Sequence, residues 1–243
     1  MGEVILRAME SGRTPLGVAV GLYSFLPLGV ALALALRVMH DRSWTSLLGP
    51  LRLAFRSMAW VGASLILLQL ALMPFDVFSD EAGRHLILKD QLPWVLPAMI
   101  GILVQAGTEE ALFRGYLLQQ LAARSRNPLV WMVLPSVLFA LMHLDNADSA
   151  FGMAWALAHA FLFGLAASDI TARTGTLGPA IGMHVAANAG AILMVGIHGR
   201  MDGLAAWNLV LDWRDMGSIL PHLGADMMFI VISWVLARLI MRV

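Results

Sequence analysis

The chain contains no cysteine, which removes disulfides, thiolate nucleophiles and thiolate-held metals together. Lysine is almost as scarce. The single one, Lys89, falls in a charged loop, so a buried serine–lysine catalytic dyad is excluded by inventory. There is no Gly-x-Ser-x-Gly for a serine nucleophile, no Gly-x-Gly-Asp for an aspartyl pair and no His-Glu-x-x-His for a standard zinc protease. Charge of either sign is sparse, 13% of 243 residues with a formal net charge of zero. No basic cluster able to follow a phosphate backbone occurs, so nucleic acid is not an expected partner.

What takes the place of charge is apolar. Hydrophobic residues make up 59% of the chain and the mean hydropathy is +0.77, outside the range of soluble domains of ordinary composition. Segments long enough to cross a ~30 Å hydrocarbon core can be placed at 15–38, 57–75, 93–121, 129–144, 151–172, 177–197 and 218–241. The expectation is an all-α, polytopic transmembrane helix bundle of about seven spans, within a range of six to eight, forming a single integral membrane domain over residues 1–243. The third segment is long enough to be tilted or broken, and 129–144 is short. The opening residues mix Glu3 and Glu10 with Arg7 and Arg13, and the apolar run 16–36 is too long for a cleaved signal, so it reads as a retained first span. Over 203–217, Leu204, Trp207, Val210 and Leu211 recur at helical spacing with Asp212, Arg214 and Asp215 elsewhere, which suits an interfacial amphipathic helix or a simple re-entry loop. Arg37, Arg42, Arg52, Arg56, Arg124, Arg126, Arg238 and Arg242 mark the loops expected on the cytoplasmic side, with the N-terminus outside.

Against this background the stretch Gly107-Thr-Glu-Glu-Ala-Leu-Phe-Arg-Gly-Tyr116 stands out. An ionised side chain at the bilayer centre costs at least ~3 kcal/mol, so charges there point to a functional site. Glu110 and Arg114 are i,i+4 neighbours on a helix and can neutralise each other. Glu109 is turned away from that pair by about 100° and is left for chemistry. Three further apolar segments carry a histidine with a partner four residues away on the same face: Phe139 with His143, Trp155 with His159, and His184 with Asn188. A carboxylate with neutral imidazoles suits general-base attack by water, and an asparagine amide suits a developing oxyanion. The same His and Glu residues could instead hold Zn²⁺ with an open water position, merely tie helices together in a scaffold, or form a transporter's proton relay, although no paired discontinuous segments suggest an inverted repeat. His40, His85, His198 and His222 fall at loops or span ends and are expected to be solvated or interfacial.

Three motifs in order, Glu109-Glu110-Ala-Leu-Phe-Arg114, Phe139-Ala-Leu-Met-His143 and His184-Val-Ala-Ala-Asn188, resemble the CAAX protease and bacteriocin-processing (CPBP, or Abi) family of intramembrane proteases, which includes the Rce1-like prenyl-protein endopeptidases. The approach to the third motif, Gly164 followed by Thr174, Gly175, Leu177 and Ile181, resembles the bacterial branch. The resemblance covers residues 105–193 and implies a catalytic core there. It implies that Glu109 acts with His143 to activate water, that His184 and Asn188 steady the oxyanion, and that Glu110, Arg114 and Phe139 support them. It further implies a glutamic mechanism without cofactor or metal, a membrane-associated peptide or protein as substrate, the lipid bilayer as surroundings, and the bacterial inner membrane as location.

Overall fold

The computed structural model describes residues 12–144, 149–199, 201–213 and 215–243. Glu3, Arg7 and Glu10 of the mixed-charge start, together with Asp145 and Arg214, lie outside the described residues. In lipid every backbone polar group needs an internal partner, and an apolar sequence meets that demand by winding into helices. All seven apolar segments are helical. Helix α1 (Pro15–Tyr23) starts on Thr14, whose hydroxyl accepts the Gly17 N–H at 3.0 Å, with Pro15 at the first helical position. Pro27 has no N–H to offer the Tyr23 carbonyl, which accounts for the break before α2 (Leu26–His40). A 3₁₀ turn at Trp44–Leu47 leads to α3 (Leu51–Val77). Helix α4 (Leu88–Glu110), a π turn at Ala111–Leu117 and α5 (Leu118–Ala122) run on as a single apolar stretch of 35 residues. At 1.5 Å per residue it is about 50 Å long, so the third segment is overlong but unbroken. After a second π turn at Leu129–Val133 come α6 (Leu134–Leu141), α7 (Ala150–Thr174) and α8 (Gly178–Ala189), which ends in a third π turn at Gly190–Met194, and finally α9 (Met216–Met241).

Among the described residues five helical stretches are long and apolar enough to cross a membrane: Pro15–His40, Leu51–Val77, Leu88–Ala122, Ala150–Thr174 and Ile219–Met241. The other two of the seven segments form shorter apolar helices. Leu129–Leu141 is a shorter apolar helix, and α8 with its π turn has 12 and 5 residues; at 1.5 Å per residue neither reaches ~30 Å. The chain is an integral membrane protein built as an all-α bundle, with one small exception. Strands β1 (Ala82–Arg84), β2 (Val195–Ile197) and β3 (Trp207–Leu209) form a sheet in the order β1-β3-β2, with Ala82 opposite Leu209 in the antiparallel pair and Val195 opposite Trp207 in the parallel one. The amphipathic helix expected over 203–217 is therefore replaced at its centre by a strand. Asp202 explains the change. Its Oδ2 accepts from Gly199 N at 3.0 Å and from Asn208 Nδ2 at 2.8 Å, closing a turn, while Leu204 and Leu209 are buried without a helical face.

The helices divide into two compact units. The first comprises the described parts of Met1–Ala31, Ala63–Thr108 and His184–Leu211, the second those of Leu32–Gly62, Glu109–Met183 and Asp212–Val243. In the first, Val18, Leu22, Ala98, Ile102, Ile192 and Leu204 form a core, and the buried Gln91 amide donates to the Leu193 and Leu204 carbonyls at 2.5 and 2.8 Å. In the second, α7 packs against α6 and α9. It ends at Gly175 with φ +66°, after which Thr176 Oγ1 and Leu177 N both donate to the Leu48 carbonyl, at 2.7 and 3.2 Å. Helix α8 meets the start of α3 at Gly182, where a Cβ would stand 2.7 Å from the Met58 carbonyl oxygen; only glycine permits that approach.

Candidate active site

Glu109 and Glu110 close helix α4, and the π turn begins at the next residue. Such one-turn widenings recur at functional sites because they redirect the side chains that follow. Both acids are buried, Glu109 at 4% and Glu110 at 0% exposure, as is Arg114 at 0%. Arg114 Nη1 donates to Glu110 Oε1 at 2.9 Å, so the expected i,i+4 neutralisation is present. Three phenyl rings enclose the guanidinium: its carbon lies 4.4 Å from the centroid of Phe139, 5.7 Å from Phe163 and 5.8 Å from Phe113. A desolvated cation over a ring gains up to about 2 kcal/mol, so the rings supply part of what water would have given.

Phe139 has a second task. Its ring lies under Arg114, while its main-chain carbonyl is 3.0 Å from His143 Nδ1. A carbonyl can only accept, so Nδ1 carries the hydrogen and neutral His143 keeps its lone pair on Nε2. His143 itself is half-buried in the turn after α6, with its ring 5.0 Å from that of Phe139. Glu110, Arg114, Phe139 and His143 are thus joined by consecutive contacts within the second unit, and Glu109 adjoins them in sequence.

His184 and Asn188 belong to α8, in the portion that falls in the first unit. His184 is buried at 6% exposure. Asn188 Nδ2 donates to Gln105 Oε1 at 2.6 Å, which fixes the amide and leaves a second N–H on the same nitrogen. Gln105, which holds the Asn188 amide, was not singled out by sequence reasoning. The signal was its spacing of four from Glu109 on one helix. Phe113 and Phe163 were missed as well, since nothing separates them from other apolar residues before the arginine is placed.

The remaining polar faces go elsewhere. His159, grouped by spacing with Trp155, is 3.2 Å from Asp226 of α9. His40 Nε2 meets the Tyr116 hydroxyl at 2.9 Å, and His198 lies 3.3 Å from Asp202. Among the described residues no group of three or more His, Asp or Glu side chains is gathered in a metal-holding arrangement.

Comparison with known proteins finds a similarity over these residues. Residues 91–190, less than half of the chain, match the family of Type II CAAX prenyl endopeptidase Rce1-like proteins. The uncharacterized protein YyaK of Bacillus subtilis (strain 168) is 28% identical over 159 residues, which cover 64% of this chain and 53% of that protein. The chain thus spans about half the length of this curated relative. No solved structure matches at a comparable level. All three motifs and the buried acid–arginine pair lie inside the stretch, residues 91–190, that is similar to the Rce1-like family.

Proposed function

We propose that this protein is an intramembrane endopeptidase that hydrolyses a peptide bond of a membrane-associated peptide or protein, with water activated by Glu109 and His143. The observation that carries the reading is the bond between His143 Nδ1 and the Phe139 carbonyl. It reserves Nε2 as a proton acceptor, on a residue tied through Phe139 to the Glu110–Arg114 pair next to Glu109. In this reading Glu109 and His143 take a proton from water, and the resulting hydroxide attacks the scissile carbonyl. His184 and the second N–H of Asn188 donate to the oxyanion, with Gln105 orienting the amide. The proton then passes to the departing amine, and the C–N bond breaks to give a carboxylate and an amine. Removing one oxyanion donor typically costs on the order of 100-fold in rate or more.

The proposed catalytic core is 105–193 within a single integral membrane domain, and the proposed location is the bacterial inner membrane. The similarity to the Rce1-like family over 91–190 supports CAAX-type protease chemistry in general. The decisive comparison is of membrane peptides cleaved in cells carrying wild-type protein and in cells carrying Glu109→Gln. The amide keeps the shape of the side chain but cannot accept the proton. We expect the cleavage products only with wild type, while the variant inserts and melts normally. Wild-type turnover by purified Glu109→Gln would end the glutamate reading.

A further inference from the structure

We propose that the arginine-rich end of the second unit binds an anionic phospholipid, with an acyl chain in the crevice between α7, α9 and the π turn at Leu129–Val133 and the phosphate at Arg173 and Arg238. The crevice has a volume of about 210 Å³. Its walls are apolar: Met132 from the π turn, Leu162 and Leu165 from α7, and Ile230, Val231 and Trp234 from α9. Val231 is 45% exposed, so the crevice lies on the surface that meets lipid. The one charged residue in the lining is Asp169. Its Oδ2 accepts the Trp234 indole N–H at 2.8 Å, and both carboxylate oxygens accept from Arg173 Nε at 2.9 Å. The guanidinium of Arg238 lies 5.0 Å from the Trp234 ring.

These contacts form a run, Arg173–Asp169–Trp234–Arg238, in which Arg238 Nε also donates to the Val243 main-chain oxygen at 3.0 Å. Asp169 uses only the Nε–H of Arg173, so the planar Nη groups stay available for a phosphate, which such groups grip in two-point fashion. Trp234 bridges apolar wall and polar rim, as tryptophan does at membrane interfaces.

The surroundings carry the same charge. Contacts between α7 and α9 occur in parallel order, His159–Asp226 and then Asp169–Trp234, so Arg173 and Arg238, each in the last turn of its helix, are at one end. Arg42 donates to Gln119 of α5, and Leu48 receives Leu177 just past α7, which brings the flanking Arg37, Arg52, Arg56 and Arg124 to that end as well. Clustered arginines of this kind mark the leaflet rich in anionic lipid. An apolar slot under a cationic rim fits a chain with a phosphodiester head.

The test uses the full chain reconstituted in phosphatidylcholine vesicles doped with phosphatidylglycerol brominated on one acyl chain, against the same dose of brominated phosphatidylcholine. Tryptophan emission is read in wild type, Trp234→Phe and Arg238→Gln. Excess quenching by the anionic lipid is expected in wild type, is lost in Trp234→Phe, and has its phosphatidylglycerol preference lowered about 5-fold in Arg238→Gln. Inorganic phosphate should not compete. Equal quenching by both lipids overturns the proposal, as does excess quenching that survives Trp234→Phe or vanishes with free phosphate. Displacement of the lipid by a farnesylated peptide would assign the crevice to a substrate chain and overturn it too.

Discussion

Replacing Glu110 by alanine tests the supporting half of the site on grounds of energy alone. Arg114 is fully buried, its Nε and Nη2 have no hydrogen-bond partner among the described residues, and its Nη1 goes to Glu110 at 2.9 Å. The three phenyl rings are present in wild type and variant alike, so they cannot make up the difference. Breaking a buried pair by removing one partner costs about 3 to 5 kcal/mol, because the remaining buried charge loses its hydrogen-bonded partner. For a chain of this size about 1 kcal/mol moves the melting temperature by roughly 2 to 4 °C, so Glu110→Ala should melt on the order of 6 to 20 °C lower in detergent. The double variant Glu110→Leu with Arg114→Met removes both charges and keeps the volume, and apolar replacement of a whole buried pair is often neutral or stabilising. It should recover most of the loss. A Glu110→Ala protein that melts within about 2 °C of wild type, or a double variant as unstable as the single, would refute the assignment of Glu110 as the structural partner of Arg114.

The other tests address chemistry. Asn188→Ala should lower kcat by on the order of 100-fold with little change in KM, because an oxyanion donor acts in the transition state; an effect confined to KM would assign Asn188 to substrate binding. Activity should persist after exhaustive chelation, measured with metal content on the same sample, and loss of turnover in step with loss of stoichiometric zinc would transfer the catalytic role from glutamate to metal.

Much of the second unit was legible in the chain. The i,i+4 spacing of Glu110 and Arg114 translated directly into a 2.9 Å contact, since a helix fixes which residues are neighbours before any tertiary packing is known. Span number was less legible because hydropathy reports composition and only loosely reports length; Leu129–Leu141 is as apolar as its neighbours and too short to cross. Over 203–217 the helical period was real but weaker than the turn closed by Asp202, whose carboxylate binds Gly199 and Asn208. His159 shows the limit of one-dimensional reading in the site itself. Spacing put it on a polar face, but its partner, Asp226, lies 67 positions away in the chain.

The widened turn at Ala111–Leu117 is, in the language of alignment, a single inserted residue that the helix has absorbed without breaking. Everything after it is rotated by about 100° from where an uninterrupted helix would put it. Arg42 reaches Gln119 in that rotated frame. Deleting one of the residues 115–117 would heal the helix and leave the spacing of Glu109, Glu110 and Arg114 intact, yet swing Gln119 off the α2 junction. In this chain a gap of one position is a larger change than most substitutions.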